Sequence, residues 1–165
     1  MIRELAKKLS TFVEFVDFVI IELQFRRGIF EAGAQVLKRH SSMALLQVSS
    51  PEAELIVKMI RPRKEIAAAH GCRIQSSEKI WRVFTASEVL TFAEAVDDKN
   101  PIHQLKPPIV PALLILETIC AEVTTDFIKL RFKNFITAGE PLSLQVNGNR
   151  LEILSAGVRK VVGVI

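Results

Sequence analysis

Cysteine is scarce in this sequence, with Cys72 and Cys120 the two among 165 residues. Two cysteines do not make a disulfide framework, and neither belongs to a histidine-containing cluster of the kind that binds metal ions. Glycine-rich phosphate loops and nucleic-acid-binding motifs are also missing. We therefore expect a reducing, cytoplasmic setting, no bound metal and no nucleic-acid partner.

A hydrophobic run long enough to cross a bilayer is lacking too. Residues 107–116 are ten consecutive uncharged residues, whereas a spanning helix needs about 20, and Glu117 then interrupts the apolar run. The N-terminal sequence MIRELAKKLSTF carries charges through its first turns and has no small-residue cleavage site, so it is unlike a secretory signal. We expect no membrane partner.

What is present is the composition of a globular protein. Hydrophobic residues make up 49% of the chain, and 165 residues suffice for one full core or for two small, closely packed units. The formal net charge of +4 fits an acidic or phosphate-bearing partner and fits solvated surface lysines equally well.

Short apolar segments at close spacing predict two antiparallel meanders. The first follows a short helix over residues 1–10 and an apolar stretch over residues 12–25. That stretch fits either a buried helix or a buried strand, and we favour a strand that starts at about Val16. The first meander continues through AGAQVLKRH, MALLQVSS and AELIVKMI. The second consists of FIKLRFKN, GEPLSLQVNG, NRLEILSAG and RKVVGVI, with a tight hairpin turn at residues 147–149.

The two meanders look alike. FRRGIFEAG (residues 25–33) overlays FKNFITAG (residues 132–139) with one extra residue. This similarity indicates a degenerate internal repeat, or else a coincidence between two β-rich segments. We predict a partial N-terminal half over residues 1–68 and a domain that carries the site over residues 69–165.

The segment between the meanders leads to a polar loop and then to a core helix. It opens with RPRK, residues 61–64, whose basic side chains could bind phosphate or lie in a solvated linker. Thr85 and Glu88 have capping-box spacing and predict an amphipathic helix that delivers the chain to Asp98. After Pro111, apolar residues fall on every side of a helix, so this helix should be wrapped by the rest of the fold.

The polar loop resembles two known motifs that share one histidine. Residues 98–103, DKNPIH, match the D-x-N-P-x-H motif of MaoC-like (R)-specific enoyl-CoA hydratases. The stretch HQLKPPIVPALLILE is similar to the H-F-P-x-x-P-x-x-P-G-x-L-x-x-E stretch of the 3-hydroxyacyl carrier-protein dehydratases. The matching positions of the second motif are His103, Pro108, Pro111, Leu114 and Glu117. Gln104, Leu105 and Ala112 depart from it, and Ala112 replaces its glycine.

Both families have the hotdog fold, in which a curled antiparallel sheet wraps a central helix. The resemblance therefore implies an α+β hotdog fold over about residues 79–165, and the repeat extends this to a shortened double hotdog. It also implies an acyl-CoA or acyl carrier protein thioester as substrate, with no cofactor beyond that carrier. Because hotdog proteins usually pair their sheets edge to edge, we expect a homodimer or a higher homo-oligomer.

Removing water from a 3-hydroxyacyl thioester, or adding it to the enoyl form, requires a base, an acid and donors for an enolate-like oxygen. His103 can exchange a proton near neutral pH. Desolvation in an apolar helix would keep Glu117 protonated and make it an acid. By the hydratase resemblance, Asp98 is the competing carboxylate and holds the water jointly with His103. By the dehydratase resemblance, His103 works instead with Glu117, which could come from across a subunit interface.

The remaining candidates would bind the substrate. The backbone N–H groups of Ala112 and Leu113 lie at the positive end of the core helix and are candidate oxyanion donors, and Asn100 is expected to contact the substrate. Each role has a structural alternative. Asp98 and Asn100 could cap the helix end and brace the loop, and Glu117 could be a satisfied core carboxylate.

These residues predict a hydro-lyase of fatty acid metabolism, either a 3-hydroxyacyl-thioester dehydratase or an enoyl-thioester hydratase. One alternative is a non-catalytic hotdog protein that binds acyl thioesters, which Ala112 and the altered residues after His103 favour. Another is a hotdog thioesterase, which would direct water at the carbonyl carbon.

Overall fold

The computed structural model describes residues 1–63 and 79–165. Its helices are α1 (Ile2–Ser10), α2 (Ala86–Ala95) and α3 (Ala112–Glu122), and 3₁₀ turns cover Val13–Phe15 and Pro101–Gln104. Its strands are β1 (Val19–Arg27), β2 (Gly33–His40), β3 (Met43–Ser50), β4 (Ala53–Ile60), β5 (Arg82–Val83), β6 (Phe127–Phe132), β7 (Pro141–Asn147), β8 (Arg150–Ser155) and β9 (Val158–Val164). The expectations for Lys64 and Cys72 lie outside the described residues.

In the described part of the chain, the nine strands form one antiparallel sheet in the order β2-β3-β4-β1-β6-β9-β8-β7-β5. The strands on the two sides of the central β1–β6 pair correspond to each other in order, β4 to β9, β3 to β8 and β2 to β7. Strand β5 extends the second side only. The two segments that overlay in sequence each join the first strand of a meander to the second. This mirrored order agrees with the predicted repeat, whereas the division at residues 68 and 69 stays a prediction because it lies outside the described ranges.

The central pair of strands joins the two halves by backbone hydrogen bonds and by ion pairs. Glu22 of β1 lies opposite Arg131 of β6. Its carboxylate binds Arg131 at 3.1 Å and Lys129 at 3.2 Å. The sheet therefore continues across the two meanders without a break.

Helix α3 packs inside the curl of the sheet, as its apolar sequence predicts. The side chains of residues 113–116 and of Ile119 are buried, and the last two residues of the helix, Ala121 and Glu122, are exposed. Pro111 occupies the N-cap position of α3. The apolar core of the domain therefore surrounds the N-terminal half of α3.

Local sequence signals agree with the structure at most element ends. The predicted capping box of α2 is present, with Glu88 N–H donating to Thr85 Oγ1 at 3.1 Å and Thr85 N–H donating to Glu88 Oε2 at 2.7 Å. The hairpin turn at residues 147–149 is confirmed, and Gly148 has φ +60° there. The strand expected from Val16 starts instead at Val19, because a 3₁₀ turn precedes it.

A buried ion pair fixes the loop between β6 and β7 to β9. Lys160 Nζ lies 2.6 Å from Glu140 Oε1 and also donates to the carbonyl of Phe135 at 3.0 Å. The other oxygen of Glu140 accepts the N–H of Thr137 at 3.1 Å. The loop is thereby held against the segment before α3, where Val110 N–H donates to the carbonyl of Ile136 at 2.8 Å.

We expect Lys160→Met to lower the free energy of unfolding by about 3 kcal/mol, because it leaves a buried carboxylate without its cation. The matched control is Arg159→Met, which removes an exposed ion pair to Glu152 and should change stability by less than about 1 kcal/mol. Urea unfolding of both variants measures this difference. Equal losses in the two variants would contradict the assignment.

Candidate active site

The D-x-N-P-x-H motif forms a loop that holds itself together by hydrogen bonds. Asp97 has φ +56° and ends α2, and Asp98 N–H then donates back to the carbonyl of Ala93 at 2.8 Å. Asp98 Oδ1 accepts the N–H of Asn100 at 3.0 Å, and Asn100 Oδ1 accepts the N–H of Ile102 at 3.2 Å. This spacing carries the chain into the 3₁₀ turn that presents His103.

His103 is held between a backbone carbonyl and a carboxylate. The side chain is buried, with 5% of the residue exposed. Its Nδ1 lies 2.7 Å from the carbonyl oxygen of Ile109, and because a carbonyl oxygen only accepts, Nδ1 carries the proton of that hydrogen bond. Nε2 lies 3.3 Å from Asp98 Oδ2, so the contact between these two acceptors requires a proton shared between them.

The charge of Asp98 depends on this contact. Burial raises the pKa of the Asp98 carboxyl, but the hydrogen bond and charge of His103 together with the N–H of Asn100 outweigh it and hold the pKa below its ordinary value. The carboxyl group is therefore an ionised base at neutral pH. The structure thus brings together the carboxylate and the imidazole that the hydratase resemblance pairs.

Asn100 braces the loop against the N-terminal half. Its Nδ2 donates to the carbonyl of Phe18, just before β1, at 2.8 Å, and its side-chain oxygen caps the 3₁₀ turn. These contacts are the bracing role named above as the structural alternative. Contact between Asn100 and a substrate stays a prediction.

Glu117 lies in a different environment from the one that its sequence context predicts. Its two carboxylate oxygens accept from Arg3 Nε and Nη2 at 2.9 and 3.1 Å, and its side chain is 31% exposed. An ion-paired, partly exposed carboxylate is not the desolvated acid that we expected, and neither ring nitrogen of His103 contacts it. The reason is the packing of α1 beside α3, which brings Arg3 to Glu117.

The N-terminus of α3 offers backbone donors. The carbonyl of Pro111 accepts the N–H groups of Leu114 at 3.1 Å and Ile115 at 3.2 Å. The N–H groups of Ala112 and Leu113 have no backbone acceptor within the described ranges. They are therefore free to bind a negatively charged oxygen, as the helix start predicts.

The polar loop and the start of α3 line one pocket, whose walls come from both halves of the chain. Asp98, His103 and Asn100 lie on it together with Ala112 and Leu113. Its apolar wall includes, from the N-terminal half, Leu9, Phe12, Val13, Phe15, Val16 and Phe18. It includes, from the C-terminal half, Val96, Ile109, Val110, Phe132, Phe135 and Ile136.

Sequence reasoning missed the contribution of the N-terminal half to this pocket. The dense apolar run over residues 12–20 was the available signal, but periodicity alone does not say which surface it faces.

Glu117 is absent from the pocket wall, and the residues of α1 that face the pocket, Ala6, Leu9 and Ser10, carry no carboxyl group. The carboxylate that contacts His103 is that of Asp98.

No protein-family model matches the chain, and no curated protein sequence does. Among solved structures, HtdX from Mycobacterium tuberculosis superposes with a TM-score of 0.65 at 13% identity, over 99% of this chain and 86% of that one. A MaoC-like dehydratase from Phytophthora capsici superposes with a TM-score of 0.51 at 13% identity, over 91% of this chain and 72% of that one. The chain has a hotdog fold. The predicted α+β class and the curled sheet around a central helix are thereby confirmed.

The hotdog fold also includes enzymes with other reactions. An acyl-ACP thioesterase from Bacteroides thetaiotaomicron superposes with a TM-score of 0.51 at 9% identity, over 88% of this chain and 74% of that one. At such identities the similarity shows the fold alone, so the activity has to be argued from the side chains.

Two further properties concern the described residues only. None of their helices is long and apolar enough to cross a membrane. Within residues 1–63 and 79–165, no three His, Cys, Asp or Glu side chains are grouped so that they could hold a metal ion.

The stability contributed by Asp98 should depend on pH. Because the pKa of Asp98 is lower in the folded chain than in the unfolded one, its contribution is present above the unfolded value of about 3.9 and is lost as the pH falls through the folded value. We expect Asp98→Asn to be less stable than the wild type at pH 6, with a difference that shrinks below about pH 4.

The control for this prediction is Asp97→Asn, which removes a neighbouring exposed carboxylate that pairs with Lys99 at 3.4 Å. Urea unfolding across the pH range measures both variants. A difference between wild type and Asp98→Asn that is as large at about pH 3 as at pH 6 would contradict the pairing.

Proposed function

We propose that this chain is a 3-hydroxyacyl-thioester dehydratase or enoyl-thioester hydratase that acts on acyl-CoA or acyl carrier protein thioesters. The observation that carries the proposal is the 3.3 Å contact between His103 Nε2 and Asp98 Oδ2 on the wall of an apolar pocket. That pocket also contains the free N–H groups at the start of α3. An acid, a base and an oxyanion site are therefore available to one bound thioester.

In the hydration direction, the Asp98 carboxylate takes a proton from water while the water oxygen bonds to C3 of the enoyl thioester. The electrons of the C2–C3 double bond shift toward the thioester carbonyl, whose oxygen gains negative charge. The N–H groups of Ala112 and Leu113, at the positive end of α3, would stabilise that oxygen. His103 Nε2–H then delivers its proton to C2.

The proton balance closes within the pair. After the addition, the proton on Asp98 passes to Nε2 of His103, which lies 3.3 Å away, and the sum of the steps is the addition of one water. Dehydration follows the same steps in reverse. The hydrogen bond from Nδ1 to the carbonyl of Ile109 keeps Nε2 as the atom that exchanges protons.

Two other functions would use the same pocket. A thioesterase would direct the water held by Asp98 and His103 at the carbonyl carbon, and the fold of the Bacteroides acyl-ACP thioesterase is similar. A non-catalytic binding protein would use the pocket without turnover, and Ala112 favours that alternative because a methyl group there would leave less room for the substrate oxygen than a glycine. The expected cytoplasmic setting and homo-oligomer stay predictions, and sedimentation velocity tests the second.

The direct test is hydration of crotonyl-CoA, followed by the loss of the conjugated enoyl absorbance with free thiol measured in parallel. We expect His103→Ala and Asp98→Asn each to lower kcat/KM by at least about 100-fold, because each removes a proton-transfer group. Glu117→Gln and Asp97→Asn are the carboxylate controls and should stay within about threefold of wild type, because neither residue contacts His103.

The competing functions predict different results in the same assay. Release of free thiol in proportion to the loss of absorbance would identify a thioesterase, because cleavage of the thioester also removes the conjugated chromophore. Tight binding without turnover by the wild type would identify a binding protein. Full activity in Asp98→Asn would contradict the proposed base.

A further inference from the structure

The segment over residues 11–18 forms one wall of the pocket and also reaches the surface. Val13 and Val16 line the pocket, and they are 73% and 42% exposed. Residues that face both the pocket and the solvent mark an opening. The carbonyl of Phe18, at the end of the segment, accepts the hydrogen bond from Asn100, so the opening adjoins the loop that carries Asp98 and His103.

Two arginines lie on the outer side of this wall. Arg39 Cζ is 5.4 Å from the ring centroid of Phe15, and Arg61 Cζ is 5.0 Å from that of Phe18. The two rings both line the pocket, and their centroids are 5.2 Å apart. Stacking on an aromatic face holds each guanidinium in a defined orientation.

Of the arginine pair, Arg39 and Arg61, one guanidinium is already neutralised by a carboxylate and the other is available to bind an anion. Arg61 Nε binds Asp17 Oδ2 at 2.9 Å. In the described part of the chain, Arg39 has no carboxylate partner. Glu14, on the same segment as Asp17, is exposed and makes no ion pair among the described residues. A planar guanidinium with free donors matches the oxygens of a phosphate group.

We propose that Arg39 and Arg61 form the binding site for a phosphate group on the carrier arm of the thioester. The inference rests on the proposed function, because it assumes that the pocket holds the acyl and thioester part of such a molecule. CoA and the acyl carrier protein both present a phosphate at the end of a pantetheine arm, and CoA carries further phosphates on its nucleotide. The arm would pass over Val13 and Val16 and place the phosphate on the arginine pair.

The test is a calorimetric titration of the whole chain with three saturated thioesters, which bind but cannot be hydrated. Butyryl-pantetheine has no phosphate, butyryl-4′-phosphopantetheine has the phosphate that both carriers share, and butyryl-CoA adds the nucleotide phosphates. We expect the phosphorylated ligands to bind about tenfold more tightly than butyryl-pantetheine, and this gain to shrink as salt is raised.

Arg39→Ala should remove most of this gain and leave the affinity for butyryl-pantetheine unchanged, and Arg61→Ala should act in the same direction. The control is Arg150→Ala, at the exposed start of β8, which should change neither affinity. A gain already present with the phosphopantetheine ligand supports the inference, whereas a gain with butyryl-CoA alone would overturn it, because the nucleotide phosphates and not the phosphate of the arm would then be bound.

Equal affinities of the wild type for all three ligands would overturn the inference, and so would Arg39→Ala behaving like Arg150→Ala. Because saturated thioesters cannot be hydrated, the result of the titration does not depend on the proposed hydration. If the protein did not hydrate crotonyl-CoA, the proposed reaction would be wrong. The titration would still show whether Arg39 and Arg61 bind phosphate.

Discussion

The imidazole of His103 is held between the carbonyl of Ile109 and the carboxylate of Asp98, and the geometry of the site depends on that arrangement. The carbonyl fixes the proton on Nδ1, so that Nε2 is left to share a proton with Asp98. The loop between β6 and β7 supports the carbonyl, because Ile109 pairs with Thr137 in an isolated β-bridge. The Lys160–Glu140 ion pair in turn holds Thr137 and Phe135. A buried charge pair far along the chain thereby helps to position the imidazole ring of His103.

The described part of the N-terminal half, residues 1–63, supports the site, while the carboxylate and the imidazole that contact each other come from the other half. It accepts the side chain of Asn100 at the carbonyl of Phe18, and it binds Glu117 through Arg3. Its apolar residues between α1 and β1 form one wall of the pocket. The mirrored strand order puts β1 beside β6, and the carbonyl of Phe18, which precedes β1, lies against the loop that carries Asp98 and His103.

Much of this structure follows from local sequence signals. The strands, the capping box at Thr85 and the hairpin at Gly148 are set by neighbouring residues, so they could be predicted. The same holds for the Asp98–His103 pair, because the motif between them closes on itself through Asn100. A spacing of five residues is short enough for the backbone to determine the contact.

What could not be predicted depends on residues that are distant in sequence. Glu117 looked like an isolated acid because Arg3, 114 positions away, becomes its neighbour only when α1 packs beside α3. The delayed start of β1 at Val19 has a similar cause, since the preceding apolar residues turn toward the pocket instead of joining the sheet. In both cases the local sequence is compatible with two structures. Glu117 could be an isolated acid or an ion-paired carboxylate, and the apolar run could be a strand or a pocket wall, and tertiary packing decides between them.

The measurement that tests the central claim most directly is the position of a water oxygen in the product. Incubating crotonyl-CoA with the protein in ¹⁸O-labelled water and analysing the product by mass spectrometry locates the bond that forms. If Asp98 and His103 add water across the double bond, the label appears in the hydroxyl group at C3 of an intact thioester. Label in the carboxyl group of free crotonic acid, with C3 unlabelled, would contradict the account.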